Sequence, residues 1–331
     1  MSVRGRTYLV TGGTGFIGSA LVRALVLAGA RVRSLDNDSR GSRDRLGDVT
    51  GDVELISGDV RDPAVVARAT RGVDSVCHLA AVNGTAFFYS QPDVVLEIGV
   101  KGMVNVLDAC LAHGVRDLVV ASSSEVYQTP PVVPTDERVP LSVPDPLNPR
   151  YSYGGAKIIS ELLAINYGRK RLDRVTIFRP HNVYGPDMGF EHVIPRFALR
   201  MRELTRRGPG TIHFPIQGTG RETRAFVYID DLIAGVLRVI EQGEHLGIYH
   251  IGTDEEMTIE QLAKEVGRCF GRQVEVVPGP LMTGGTTRRC PDIAKLRALG
   301  YAPRVPFREG LAKTVRWYDA NASRVEERRE H

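Results

Sequence analysis

The chain has 331 residues, a length that suggests about two domains at roughly 100–200 residues each. Hydrophobic residues make up 42% and charged residues 25%, which excludes wholesale disorder, and the 35 Gly and 19 Pro fall at separate turns, which excludes collagen-like and low-complexity chains. A formal net charge of +4 with Arg spread along the chain is no nucleic-acid footprint, and no apolar run approaches the length of a membrane span. We therefore expect neither a nucleic-acid nor a membrane partner. Met1 to Arg6 leads straight into an apolar strand pattern without a cleavage site, so a cytoplasmic protein is expected. Cys77, Cys110, Cys269 and Cys290 lie far apart, without zinc or disulfide-scaffold spacing, and read as buried free thiols. No metal site is expected.

The first half alternates short apolar runs with helical periodicity. Strands are expected at 7–10, 32–35, 53–56, 75–79, 118–121 and 175–178, and helices at 16–28, 63–70, 92–112 and 152–169. Repeated βα units with continuous apolar strands imply an α/β fold, a Rossmann-like doubly wound parallel sheet buried on both faces. After Arg179 the rhythm loosens. Helices are expected at 192–204, 231–242, 259–270 and 308–319, turns at 207–211 and 217–220, and a loop at 278–285. This divides the chain into a dinucleotide-binding unit at 1–178 and a smaller, interleaved C-terminal substrate-binding lid at 179–331, some of whose segments return to the sheet.

The first strand runs into Thr11-Gly12-Gly13-Thr14-Gly15-Phe16-Ile17-Gly18, and a helix follows. This G-x-x-G-x-x-G spacing is a dinucleotide fingerprint. Gly12 turns out of the strand, Gly15 lets a pyrophosphate approach the backbone, and Gly18 lets the helix pack closely. The helix start, through Phe16 and Ile17, offers free N–H groups and a positive dipole end to phosphate. Asp36, followed by Asn37, ends the second strand, where a carboxylate accepts from ribose hydroxyls and repels a 2′-phosphate. NAD is the expected cofactor, although Arg40 nearby is a possible phosphate ligand.

Tyr153 and Lys157 form a Y-x-x-x-K pair on one helix face, where an ammonium is expected to lower the phenol's pKa and make a base for a sugar hydroxyl. Ser122, Ser123 and Ser124 precede Glu125-Val126-Tyr127 at a strand end, on the ligand-binding rim of an open sheet.

With these motifs the sequence resembles the extended short-chain dehydrogenase/reductase family, in its nucleotide-sugar epimerase/dehydratase branch. Further carriers are G-D-V-R-D at 58–62, H-L-A-A at 78–81, F-R-P-H-N-V-Y-G-P at 178–186, G-T-G-R-E-T-R-A-F-V-Y at 218–228 and R-R-C-P-D-I at 288–293. The resemblance implies that Asp59 and Val60 contact adenine and that Leu79, Ala80 and Ala81 line the cofactor. It implies Ser123 on the sugar hydroxyl, Tyr153 as base at C4 and Lys157 on the nicotinamide ribose. Ser124 and Asn182 would hold the substrate, with Arg224 and Arg288 clamping its diphosphate. It also implies a homodimer through helices 92–112 and 152–169, with substrate choice set at 84–89, where Phe87, Phe88 and Tyr89 lie, and at 187–192 and 281–287. The sequence departs from the family pattern at Gly99 (commonly Asn), Gln128 (commonly Gly) and Ala225 (commonly Asp).

The shared first step is C4 oxidation of a nucleotide-diphosphate sugar. A 4-epimerase is the first reading, because it asks least of the site. A 4,6-dehydratase or a UDP-glucuronate decarboxylase is the alternative, with Glu125 acting at C5. Ser-Ser-Ser-Glu-Val-Tyr resembles both of these, and Thr223-Arg224-Ala225-Phe226 resembles the decarboxylase. The glucose-type dehydratases have Asp where this chain has Ser124, and the decarboxylase has charged residues where this chain has Gly154-Gly155-Ala156. A net sugar dehydrogenase or reductase and a catalytically silent NAD-binding regulator are the remaining classes.

Overall fold

The computed structural model describes residues 2–280 and 286–323. The stretches expected as a loop at 278–285 and as a substrate determinant at 281–287 lie outside the described residues over 281–285.

The order begins β1 (Thr7–Thr11), α1 (Phe16–Leu27), β2 (Arg31–Asp36), β3 (Val53–Ser57), α2 (Pro63–Thr70), β4 (Ser75–His78), α3 (Thr85–Ser90), α4 (Pro92–Ala112), β5 (Asp117–Ala121), α5 (Ser152–Arg171) and β6 (Arg174–Pro180). It continues with β7 (Val183–Tyr184), α6 (Val193–Thr205), β8 (Ile212–Pro215), β9 (Thr223–Ala225), β10 (Val227–Tyr228), α7 (Ile229–Gln242) and β11 (Gly247–Ile251). The last elements are β12 (Glu256–Thr258), α8 (Ile259–Cys269), β13 (Val274–Val277), β14 (Arg288–Arg289), α9 (Ala294–Arg297) and α10 (Phe307–Ala320).

Seven strands form one parallel sheet in the order β11-β6-β5-β4-β1-β2-β3. This is the doubly wound sheet read from the sequence. Strand β1 buries Tyr8 and Val10 in one apolar layer with α1, α6 and α7, and Leu9 in the other with α2, α4 and α5. That two-sided burial is why its sequence is continuously apolar. The strand order reverses between β1 and β4, and such a switch point opens a crevice at the strands' C-terminal ends. The glycine loop leaves β1 there, and Leu79 and Ala80 leave β4 beside it.

Among the described residues, the second half supplies β11 to the sheet edge and three small sheets, β7 with β10, β8 with β13, and β9 between β12 and β14. These strands are short and interrupted by Gly, Pro and charge, so periodicity did not announce them. The helix α3 was likewise unexpected inside the substrate-determining stretch. Cys269, at the end of α8, is exposed and corrects the expectation of four buried thiols; Cys77, Cys110 and Cys290 are buried.

Candidate active site

Gly12 has φ +72, and a Cβ there would come within 2.9 Å of the Ala80 nitrogen; on Gly18 it would meet the Gly12 oxygen at 1.9 Å. Gly15 caps α1 without a side-chain hydrogen bond, so the first-turn amides of Phe16, Ile17 and Gly18 face the crevice uncapped, a ready anion site. Thr11 Oγ1 accepts from Leu79 N at 3.1 Å and Ala80 N at 3.2 Å, so its own proton goes to His78 Nδ1 at 2.8 Å. Burial pushes the His78 imidazole down to about 3, and the neutral ring must carry its proton on Nε2. The ends of β1 and β4 are thereby fastened beneath the cofactor loop.

Asp36 accepts from Thr14 N and from Asp38 N, both at 3.0 Å, which sets its carboxylate at the end of β2. Asn37 Nδ2 donates to Asp59 Oδ2 at 3.2 Å, and Arg61, bonded to Asp59, holds that carboxyl below its usual range. Val60 is buried, its carbonyl accepting from Asn105. Arg40 reaches Glu191 at 3.6 Å and lies 4.8 Å over Phe87. Ala81 packs partly buried beside Tyr153 and Phe88. An uncapped helix start, a close glycine turn and a poised carboxylate fit a dinucleotide with free ribose hydroxyls.

Ser123, Tyr153 and Lys157 gather at the ends of β5 and α5, all buried. Ser123 Oγ accepts from Glu125 N at 3.1 Å, closing a 3₁₀ turn over Ser124–Tyr127, and it hydrogen-bonds the Tyr153 phenol. Tyr153 stacks on Phe88 with ring centroids 5.2 Å apart. Lys157 Nζ donates to the Ala121 carbonyl at 2.7 Å and stands 5.8 Å from the Tyr153 ring centroid. Burial pushes the phenol up to about 12, with the Ser123 hydroxyl opposing. Burial also pushes Lys157 down to about 8, with Glu161 opposing. The expectation was that the Lys157 ammonium lowers the phenol's pKa; in the protein by itself burial dominates and raises it.

Two sequence departures prove to be one device. Gln128 has φ +53, the conformation that usually calls for Gly, and its Nε2 donates to the Glu125 carbonyl at 2.6 Å. A Cβ on Gly154 would come within 2.4 Å of that same Nε2. Gly154 therefore makes room for the amide that braces the turn Ser124–Tyr127. Similarly, a Cβ on Gly99 would meet the Ala156 Cβ at 2.7 Å, so the glycine lets α4 approach α5.

Of the two arginines expected to clamp a diphosphate, Arg224 and Arg288, only Arg224 is turned inward. Arg288 is exposed and forks onto Glu256, with Nε to the two carboxylate oxygens at 2.9 and 3.2 Å. Its neighbour Arg289 points to the opposite face of β14, as alternation requires. Arg289 is buried and donates through Nη1 to Glu125 Oε1 and through Nη2 to Thr286 Oγ1. β14 runs parallel to β9 with Arg289 beside Arg224, so these two guanidiniums share one face. Arg224 donates to the Thr223 and Thr286 carbonyls, each at 2.7 Å, and burial pushes it down to about 10. Burial pushes the Glu125 carboxyl up, but Arg289, Arg150 and Arg224 outweigh it and hold the group below its usual range. Asn182 has φ +38 and spends its Nδ2 on the Ala225 carbonyl at 3.1 Å, and Ser124 is buried within the 3₁₀ turn. Arg289 was missed because adjacent arginines cannot be ordered without strand facing, and a two-residue strand offers no alternation to read in the sequence.

A doubly wound parallel sheet with a glycine-turn cradle, and with Ser123, Tyr153 and Lys157 gathered at its strand ends, defines a dinucleotide-binding class of protein. The sequence matches the NAD dependent epimerase/dehydratase family over residues 8–252. The chain belongs to that family, and NAD is its cofactor. It is 35% identical over 312 residues to UDP-glucuronic acid decarboxylase 6 of Arabidopsis thaliana, covering 92% of this chain and 86% of the relative. It resembles the crystal structure of a dTDP-glucose 4,6-dehydratase from Streptomyces venezuelae with NAD bound, at 34% identity and TM-score 0.84 over 97% of this chain and 99% of that one. It resembles equally a UDP-glucose 4-epimerase from Thermotoga maritima with UDP-glucose, at 29% identity and TM-score 0.84 over 96% and 99%. No helix among the described residues is long and apolar enough to cross a membrane.

Proposed function

We propose that the chain oxidises C4 of a nucleotide-linked uronic acid and releases the sugar carboxyl as CO2, without net redox change. The observation that carries this reading is the half-buried Glu125–Arg289 pair beside Tyr153, with Arg224 in register. NAD, when bound at the glycine loop and Asp36, supplies the acceptor for the hydrogen leaving C4. Tyr153 takes the C4 hydroxyl proton, and Ser123 shares the oxygen. The ketone at C4 turns the neighbouring carboxylate into a β-keto acid. Loss of CO2 leaves an electron pair at C5 that spreads onto the C4 oxygen, where the two hydroxyls hydrogen-bond it. C5 then takes a proton from solvent, the hydrogen first removed returns to C4, and Tyr153 gives its proton back to the C4 oxygen, so the cofactor ends as it began.

A 4-epimerase needs no charged pair at C5. A 4,6-dehydratase needs a proton donor for its leaving hydroxyl. Here Glu125 is held ionised and its neighbour is Ser124, so no carboxylic acid stands ready. Departing CO2 needs no such donor, and the guanidiniums around Glu125 suit a substrate with an extra carboxylate. In this reading Arg224 and Arg289, not Arg288, serve the substrate, and Arg suits it because its planar fork matches anionic oxygens. The substrate's nucleotide diphosphate lies between the two halves of the chain, with Asn182 near it. We propose further that the working unit is a homodimer through α4 and α5. Their packed pair exposes Leu96, Ile159 and Leu162 at 38, 40 and 54%.

The test is turnover of UDP-glucuronate, UDP-glucose, dTDP-glucose and GDP-mannose, read by mass. Loss of CO2 from the uronate supports the proposal. An unchanged mass with altered retention restores the 4-epimerase that the sequence put first, and loss of water points to a dehydratase. Steady NADH accumulation overturns all three.

A further inference from the structure

The segment 37–45, which follows β2, has two faces. One belongs to the cofactor site: Thr14 Oγ1 donates to Asp38 Oδ1 at 2.7 Å, and Asp38 N donates to Asp36. The other carries Arg40 and Arg45 across to residues 187–191, which follow β7.

Arg45 is only 8% exposed and forks onto Asp187, Nε to Oδ2 at 2.8 Å and Nη2 to Oδ1 at 3.1 Å. Its remaining nitrogen, Nη1, donates to the carbonyls of Thr14 at 3.3 Å and Arg40 at 2.9 Å. One guanidinium thus joins the glycine loop, the segment 37–45 and the segment 187–191. Arg40 makes a second connection, with Nη2 3.6 Å from Glu191 Oε2 and its guanidinium over Phe87. The Glu191 carboxylate lies against Gly84, where a Cβ would come within 2.1 Å of Oε2. Gly84 opens α3, and Phe88 of α3 stacks on Tyr153. The contacts therefore run without a break from the phosphate-side loop to the wall of the catalytic tyrosine.

We propose that Arg40 and Arg45 are positioning residues that couple NAD binding to the ordering of residues 187–191 on the sugar side of the site. NAD seated at the glycine loop fixes Thr14, Asp36 and Asp38, and with them the segment that presents both guanidiniums. The ion pairs then hold 187–191 in the arrangement the sugar meets. Coupling of this kind is reciprocal, so loosening 187–191 must weaken NAD binding in the same proportion. A forked pair around a nearly buried Arg is better suited to this than a solvent-screened surface pair, which contributes little. From the assigned reaction the proposal takes only that Tyr153 marks the sugar end, and its test needs no turnover.

Asp187→Asn and Glu191→Gln remove the charges with little change of shape. Asp187 has φ +57, which Asn adopts as readily. NAD binding to the full chain is measured by calorimetry, and amide exchange at 187–191 is followed with and without NAD. In the unmodified chain NAD slows exchange at 187–191. In D187N that protection is lost and the NAD dissociation constant rises about 5–10-fold, the lower range of ordinary coupling between sites; E191Q moves both readouts the same way by less. A purely structural role would lower the melting temperature without removing the NAD-dependent difference in exchange. Unchanged NAD affinity in both variants, or equal NAD protection of 187–191 in D187N and the unmodified chain, overturns the proposal. If D187N does not fold, Arg45→Lys, which keeps the charge and loses the fork, gives the same two readouts.

Discussion

Glu125 and Arg289 are 164 positions apart in the chain and meet in one half-buried ion pair, the carboxylate from the turn after β5 and the guanidinium from β14. The pair lies beside the stacked Tyr153–Phe88 rings and joins the two halves of the chain at the reacting end of the site.

Glu125→Gln should reduce kcat by about 10²-fold while leaving NAD affinity intact, the cost of misplacing the Arg289 guanidinium that the carboxylate orients. Arg289→Met should fall in the same range, because it strips Glu125 of its nearest counter-charge. Arg288→Ala should leave kcat/KM within roughly twofold, since an exposed pair contributes ~0–1 kcal/mol. Steady-state kinetics on the three variants checks the assignment, and equal effects at positions 288 and 289 would refute it.

The Tyr153 phenol has its pKa pushed up to about 12 in the protein alone, by burial. A positive charge arriving beside it favours the phenolate and must lower that value. The ultraviolet phenolate signal, taken as the difference between the unmodified chain and Tyr153→Phe, should rise near pH 12 without NAD and at lower pH with NAD bound. A difference curve that NAD does not move would remove Tyr153 from the base role.

Arg179 and Glu161 are fully buried and doubly bonded, Nε to Oε1 at 2.8 Å and Nη2 to Oε2 at 2.5 Å. Arg179 also donates to Tyr127, the last residue of the catalytic turn, and Ser122 donates to Glu161. Arg179→Met leaves the Glu161 charge buried without its partner, which costs ~3–5 kcal/mol. Equilibrium unfolding in denaturant measures it, and a loss below about 1 kcal/mol would show that water reaches the carboxylate.

Leu162→Glu places a charge in the exposed apolar face of α5. Light scattering after size exclusion should show a dimer for the unmodified chain and a monomer for the variant, with the far-ultraviolet spectrum unchanged. A monomeric unmodified chain would end the dimer proposal.

Where function depends on local backbone chemistry, the sequence was sufficient. A strand, a glycine turn and a helix start specify a phosphate cradle among neighbouring residues, and alternating βα units can bury their apolar faces in few ways other than a doubly wound sheet. Tyr153 and Lys157 are one helical turn apart, so their shared face follows from the 3.6-residue period. Tertiary structure decided what depends on distant contacts. Which of two adjacent arginines meets Glu125 was set by the facing of β14, a two-residue strand too short to show alternation. Desolvation, not the neighbouring ammonium, governs the Tyr153 phenol, because burial is a property of the whole packed site. The exchange of Gly for Gln128 and the opening of room at Gly154 are separate departures along the chain, and only their contact shows that the amide of one occupies the space left by the other.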